Sequence, residues 1–131
     1  MSVGRSELNP GVKRFNRWQF VEAQNAWREL GEQQEGPAKD FLLALSKVAG
    51  GFAKIWHKNG EPHAMVSILG QAVTDLQPFA PRYLDIELDG FIAGLSHCLS
   101  EAKRWRRGET EIFDRDLIPR LEFLTKPKNA G

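Results

Sequence analysis

Residues 37–57 read PAKDFLLALSKVAGGFAKIWH, and the parsing of this stretch decides the fold. Phe41, Leu45, Val48, Phe52 and Ile55 recur at steps of three and four, the spacing that lines up one face of an α-helix, with Leu42, Ala49 and Trp56 beside them. A strand would alternate every second residue, and this stretch does not. Pro37 suits a first helical turn, where its missing N–H is harmless, so a helix is predicted from Pro37 to about His57. Gly50 and Gly51 fall inside it, at a combined cost of roughly 1–2 kcal/mol relative to alanine. Such a pair bares the helix either for a closely packed neighbour or for a ligand or partner backbone.

Outward from this helix the same periodicity continues. A short helix capped by Asn9, with Pro10 in its first turn, is expected to reach about Asn16. A second should cover about Trp18 to Leu30, with Phe20, Ala23, Trp27 and Leu30 inward and Gly31 as its stop. Asn59-Gly60 ends the long helix and Pro62 opens another, whose apolar face is Met65, Ile68, Leu69, Ala72 and Leu76. Pro78 and Pro81 bracket a turn. Asp85 is read as the N-cap of a fifth helix to about Arg106, with Leu88, Phe91, Ile92, Leu95, Leu99 and Ala102 inward. Beyond Gly108 the pattern weakens, although Ile112, Phe113, Leu117 and Ile118 are apolar enough to pack back, and Lys126 to Gly131 should fray. The expected architecture is all-α: a compact, single-domain bundle of about five helices over residues 1–131. Its core lies at about 9–106, and an irregular tail over 107–131 packs partly on the bundle.

Composition agrees. Fourteen Leu and 12 Ala stand against six Val, six Ile and three Thr, a balance that favours helix. Eighteen Lys and Arg nearly cancel 17 Asp and Glu, so the chain as a whole exerts no electrostatic pull on nucleic acid or membrane. The lone Cys98 rules out an internal disulfide and a cysteine-rich zinc site. The first ten residues lack the apolar core of a secretory signal, and no apolar run is long enough to span a bilayer. A cytoplasmic protein without cofactor or membrane association is the expectation.

Phe15-Asn16-Arg17-Trp18-Gln19-Phe20-Val21-Glu22-Ala23-Gln24-Asn25-Ala26-Trp27 resembles the signature of the domain of unknown function 309 family. That signature reads Phe-Asn, a short spacer, then Phe-x-Glu-Ala-His-Glu and a large apolar residue or Trp. Phe41 to Ile55, followed by Asn59 and Ala64, is similar to the family's second block, in which a helix with a small-residue run carries a Tyr-His pair. Leu117-Ile118-Pro119-Arg120 is similar to its Ile-Pro ending. The resemblance spans most of the chain and implies a small all-helical bacterial protein with no established activity. The family's Glu is matched by Glu22, its His-Glu by Gln24-Asn25, and the His of its Tyr-His pair falls at Lys54. Glutamine and asparagine do not titrate near neutral pH, and a charged lysine is a poor metal ligand. The resemblance therefore implies a divergent member without the family's ionisable cluster.

Among candidate sites, Gln24 is the most informative residue. It lies four positions after Phe20 and three before Trp27, so its amide should point toward the apolar face and need partners there. Glu22, Gln24, Asn25, Lys47 and Lys54 form a candidate polar pocket for a small ligand, or else a structural polar network at the bundle edge or solvated surface. His57 and His63 flank the Asn-Gly turn without metal-ligand spacing, and His97 and Cys98 point about 100° apart on a helix, so no catalytic or metal-binding set emerges. Lys103-Arg104-Trp105-Arg106-Arg107 interleaves cations with an aromatic, the elementary equipment for single-stranded nucleic acid. The acidic run Glu109, Glu111, Asp114 and Asp116 follows at once, and cations also suit a helix C-terminus. With Trp18 and Trp56, this cluster makes a candidate interaction surface, because Trp and Arg are enriched at binding hot spots. The leading expectation is a non-enzymatic protein-interaction or self-association module. The alternatives are a small-ligand binder or enzyme at the polar pocket and nucleic-acid binding through Lys103–Arg107.

Overall fold

A computed structural model describes residues 3–124. The described chain is all-α in architecture, with five helices: α1 (Arg5–Asn16), α2 (Phe20–Glu32), α3 (Pro37–Ala53), α4 (Pro62–Leu76) and α5 (Asp89–Arg106). Each packs on the next in chain order, which leaves α3 between α2 and α4. The stripe expected of α3 is buried: Phe41, Leu42, Leu45, Val48, Ala49 and Phe52 have no exposed surface. Ile55 is only partly buried, and Trp56 is exposed, because the helix ends at Ala53 rather than His57.

Glycines do the close packing. A Cβ on Gly50 would lie 2.8 Å from Gln24 Nε2, and one on Gly51 would lie 2.9 Å from Leu69 Cδ2. Gly31 is not the stop expected for α2. It is buried within the helix, where a Cβ would come within 3.2 Å of Leu42 Cβ. Tertiary contact, not chain termination, requires it.

Three further features depart from expectation. First, α1 begins at Arg5 and carries Pro10 in its interior rather than in its first turn. Leu8, Val12 and Phe15 share one buried face that needs the extra turn, and the Glu7 carboxylate accepts a hydrogen bond from the Gly4 N–H at its start. Pro10 sits on the exposed side, where the Ser6 carbonyl it leaves without a donor is open to water. Second, Asp85 does not cap α5. Leu84 and Asp85, at φ 48° and 65°, turn a hairpin between two short antiparallel strands, β1 (Arg82–Tyr83) and β2 (Ile86–Glu87), and α5 starts at Asp89. Third, Ile112 does not pack back: it is 72% exposed, whereas Phe113, Ile118 and Leu121 are buried. The buried cluster thus includes Val3, Leu8, Phe113, Ile118 and Leu121, outside the expected 9–106 span. The segment expected to fray, Lys126 to Gly131, and Thr125 before it lie outside the described residues.

Both ends of the described chain meet at the hairpin. Ile86 bridges to Phe123, Leu124 N donates to Asp85 O (2.8 Å), and Arg5 reaches both Asp85 (3.2 Å) and the Leu124 carbonyl (2.5 Å). Asn16 anchors the returning segment: its Nδ2 donates to Leu121 O and its Oδ1 accepts from Leu121 N, each at 2.9 Å. Replacing Asn16 with alanine removes both bonds from a half-buried site and should cost about 1–3 kcal/mol. Chemical denaturation together with amide exchange at Leu121 measures this. A variant as stable as wild type, with Leu121 still protected, would contradict the anchoring role.

Candidate functional site

The corner between α1 and α2 begins with an unusual residue. After Arg17, Trp18 adopts a left-handed conformation (φ 63°), Trp18 N donates to Phe15 O (2.9 Å), and Gln19 N donates to Arg14 O (2.8 Å). This bonding pattern is a Schellman closure, whose left-handed position usually holds glycine. A bulky side chain there carries a strain of order 1–2 kcal/mol. The ring is not buried in return: Trp18 is 42% exposed, beside Val21 at 54% and Trp56 at 43%. The Trp18 and Trp56 centroids are 6.2 Å apart, Phe20 stacks under Trp56 at 5.8 Å, and the Arg115 guanidinium covers the Trp56 ring at 5.6 Å.

From Val21 and Trp56 the surface dips into a groove of about 580 Å³ between α2, α3 and α4, lined also by Gln24, Lys47, Gly50, Ala53, Lys54, His57 and Ile68. Of the five residues expected to form a polar pocket, Gln24, Lys47 and Lys54 therefore converge. Glu22 and Asn25 do not line it. Glu22 is exposed on another side of α2, and the Asn25 side-chain Oδ1 accepts from the Arg28 guanidinium (2.8 Å).

Charge pairs border the groove. Lys47 donates to Asp75 at 2.7 Å, which holds the Asp75 carboxyl below its usual range, with a further bond from Gln71. Across the α3–α4 turn, His57 Nδ1 meets Glu61, and Lys54 approaches the same carboxylate at 3.9 Å. The His57 bond, reinforced by the charges of His57, Lys54 and Lys58, lowers the Glu61 pKa.

The basic stretch at the end of α5 is organised differently. Arg104 bonds Glu101 and Glu109, Arg107 pairs with Glu109, and Lys103 and Arg106 make no ion pair among the described residues. Trp105 is half-buried against Gly60 and donates to Glu111 O at 3.2 Å. The α5 end thus partly neutralises itself, and its aromatic ring packs inward. No residue of Lys103–Arg107 lines the groove beside Trp56. Lys13, Arg14 and Arg17, by contrast, line a shallow depression along α1 and make no ion pair among the described residues.

A larger groove of about 840 Å³ lies between α3, the end of α4 and the hairpin, with Asp40, Lys47, Asp75, Phe79, Arg82 and Tyr83 in its lining. Sequence reasoning missed it because the hairpin that walls it was itself unread.

Cys98 is buried, donates to Leu117 O (3.3 Å), and has its thiol pushed up to about 12, first by burial and then by the charges of Asp114 and Glu101. Among the described residues no group of three His, Cys, Asp or Glu is placed to hold a metal ion, and no helix is long and apolar enough to cross a membrane. No family model matches this chain, and neither does any curated protein or solved structure.

Two outcomes follow from these geometries. Native protein at pH 8 should leave Cys98 unlabelled by a disulfide reagent and react once unfolded; rapid native labelling would contradict the buried thiol. Because folding lowers the Asp75 pKa, the Lys47–Asp75 pair stabilises the fold above the ordinary carboxylate range, and that contribution disappears as pH falls through the lowered value. Lys47→Met should therefore return the Asp75 titration toward its ordinary value by carboxyl NMR. The stability loss near neutral pH should be at most about 1 kcal/mol, since the pair is part-exposed.

Proposed function

We propose that this protein is a non-enzymatic interaction module whose contact surface is centred on Trp18, Val21 and Trp56, and that a second copy of the chain is the partner this surface fits. The observation that carries the reading is Trp18 itself. A large ring stands exposed at a left-handed position where glycine would be unstrained, and strain retained at one place is a sign of use. A contact between identical copies must be complementary to itself. Arg17 and Glu22, which adjoin Trp18 and Val21 in the chain, are exposed, of opposite sign and without ion pairs among the described residues, so two copies can present unlike charges to each other.

We further infer that the chain is a divergent, bacterial, cytoplasmic member of the domain of unknown function 309 family. Supporting this, the residues that carry the resemblance have specific duties: Asn16 anchors the returning segment, Gln24 packs over Gly50, and Pro119 lies where a Cβ on Gly94 would approach to 2.8 Å. The titratable pair at the family's His-Glu positions is replaced by amides that acid–base chemistry cannot use near neutral pH.

Sedimentation velocity over a range of concentrations tests the contact. Wild type should show a reversible dimer, and Trp18→Gly should be monomeric at concentrations where wild type is dimeric. The variant's stability should stay within about 1 kcal/mol of wild type, because relief of the backbone strain offsets the lost ring contact. A wild-type chain that stays monomeric throughout contradicts self-association, and a dimer undisturbed by Trp18→Gly contradicts the location.

A further inference from the structure

The groove beside the Trp18 patch carries its own chemical signature. At about 580 Å³ it falls within the size range of small-molecule sites, roughly 300–1,000 Å³. Val21, Ala53, Ile68 and the Trp56 ring supply apolar walls, and Gly50 supplies a floor without a side chain. Every ionisable side chain in the lining is basic: Lys47, Lys54 and His57.

The three basic groups are not equally engaged. Lys47 is held by Asp75 at 2.7 Å, and His57 is bonded to Glu61. Lys54 reaches that same Glu61 only at 3.9 Å, so its ammonium keeps donors to offer. Gln24 lines the groove half-buried, and its side-chain amide makes no hydrogen bond among the described residues; Ser46 Oγ bonds its backbone carbonyl instead, at 3.2 Å. The groove thus presents one under-used cation, one unpartnered amide and a continuous apolar surface. A single negative charge matches the one ammonium with donors to spare, whereas a polyphosphate would need further cations, and Lys47 is already held by Asp75.

We propose that this groove binds a small amphipathic monocarboxylate, its carboxylate received by Lys54 and the Gln24 amide and its apolar body lying along Val21, Ala53, Trp56 and Ile68. The site differs from the self-association surface, although Val21 and Trp56 border both.

NMR titration of the isotope-labelled protein with decanoate, decanol, decylammonium and inorganic phosphate, all below micelle-forming concentrations, tests the proposal. Decanoate should saturate, shifting the Gln24 amide, the Lys54 side chain and the Trp56 indole. Decanol and phosphate, each lacking half of the recognition, should bind at least about tenfold more weakly. Lys54→Met should weaken decanoate about tenfold, and Gln24→Glu, which places a like charge in the groove, should weaken it at least as much. The same spectra report whether each variant is folded, so either one suffices if the other is not. Failure of decanoate to saturate, equal binding of decylammonium or phosphate, or unchanged decanoate affinity in the folded variants would overturn the proposal. Because Val21 and Trp56 border both sites, the titration is repeated on Trp18→Gly: decanoate that saturates there upholds this proposal whatever the self-association test gives, and a wild-type dimer that takes up no decanoate upholds the other reading alone.

Discussion

The distance at which α2 and α4 approach α3 around Gly50 and Gly51 governs the rest of the structure. A Cβ at Gly51 would lie 2.9 Å from Cδ2 of the fully buried Leu69, whereas one at Gly50 would meet the end of the Gln24 side chain at 2.8 Å, which can swing aside. Without these Cβ atoms the helices come close enough to bury Val48, Ala49 and Phe52 completely. Two glycines near a helix end sacrifice backbone entropy, and burial of large neighbours at roughly 1.5–3 kcal/mol per side chain more than offsets that. Gly50, buried beneath the Gln24 side chain, also lines the groove, so packing and recognition meet at one residue.

A chain of aromatic rings then connects this core to the surface. Phe15 meets Phe20 at 5.2 Å, Phe20 meets Phe52 at 5.5 Å and Trp56 at 5.8 Å, and Trp56 meets Trp18 at 6.2 Å. Rings locked on one another lose little further freedom when a partner arrives, which lowers the cost of association. Asn16 adds to this rigidity by tying the segment at Leu121 to the end of α1, inside the Schellman closure and two residues before Trp18.

The fold was legible wherever burial imposed a helical period. The apolar faces of α2 to α5 follow from spacing alone, because one side of each helix lies against its neighbours. The misreadings occurred at residues with two possible duties. Gly31 and Pro10 read as helix punctuation, yet one answers to Leu42 and the other is tolerated so that Leu8 can be buried. Asp85 resembles a cap, and the hairpin it turns lacks the Asn-Gly or Asp-Gly pair that normally announces such a turn. At the site, Gln24, Lys47 and Lys54 could be grouped because they sit on facing helices. Glu22 lies about 200° around α2 from Gln24, and Asn25 about 100°, so neighbours in sequence parted in space. The conformation of Trp18 had no signal at all: tryptophan is not a residue from which a left-handed turn is inferred.

The measurement that bears most directly on this account is hydrogen–deuterium exchange as a function of protein concentration. The α1–α2 corner around Trp18 and the end of α3 near Trp56 should gain protection as concentration rises, while the end of α5 around Lys103 to Arg107 stays unchanged. Protection that grows instead at the α5 end, or exchange independent of concentration throughout, would show that the exposed tryptophans are not where this protein makes its contacts.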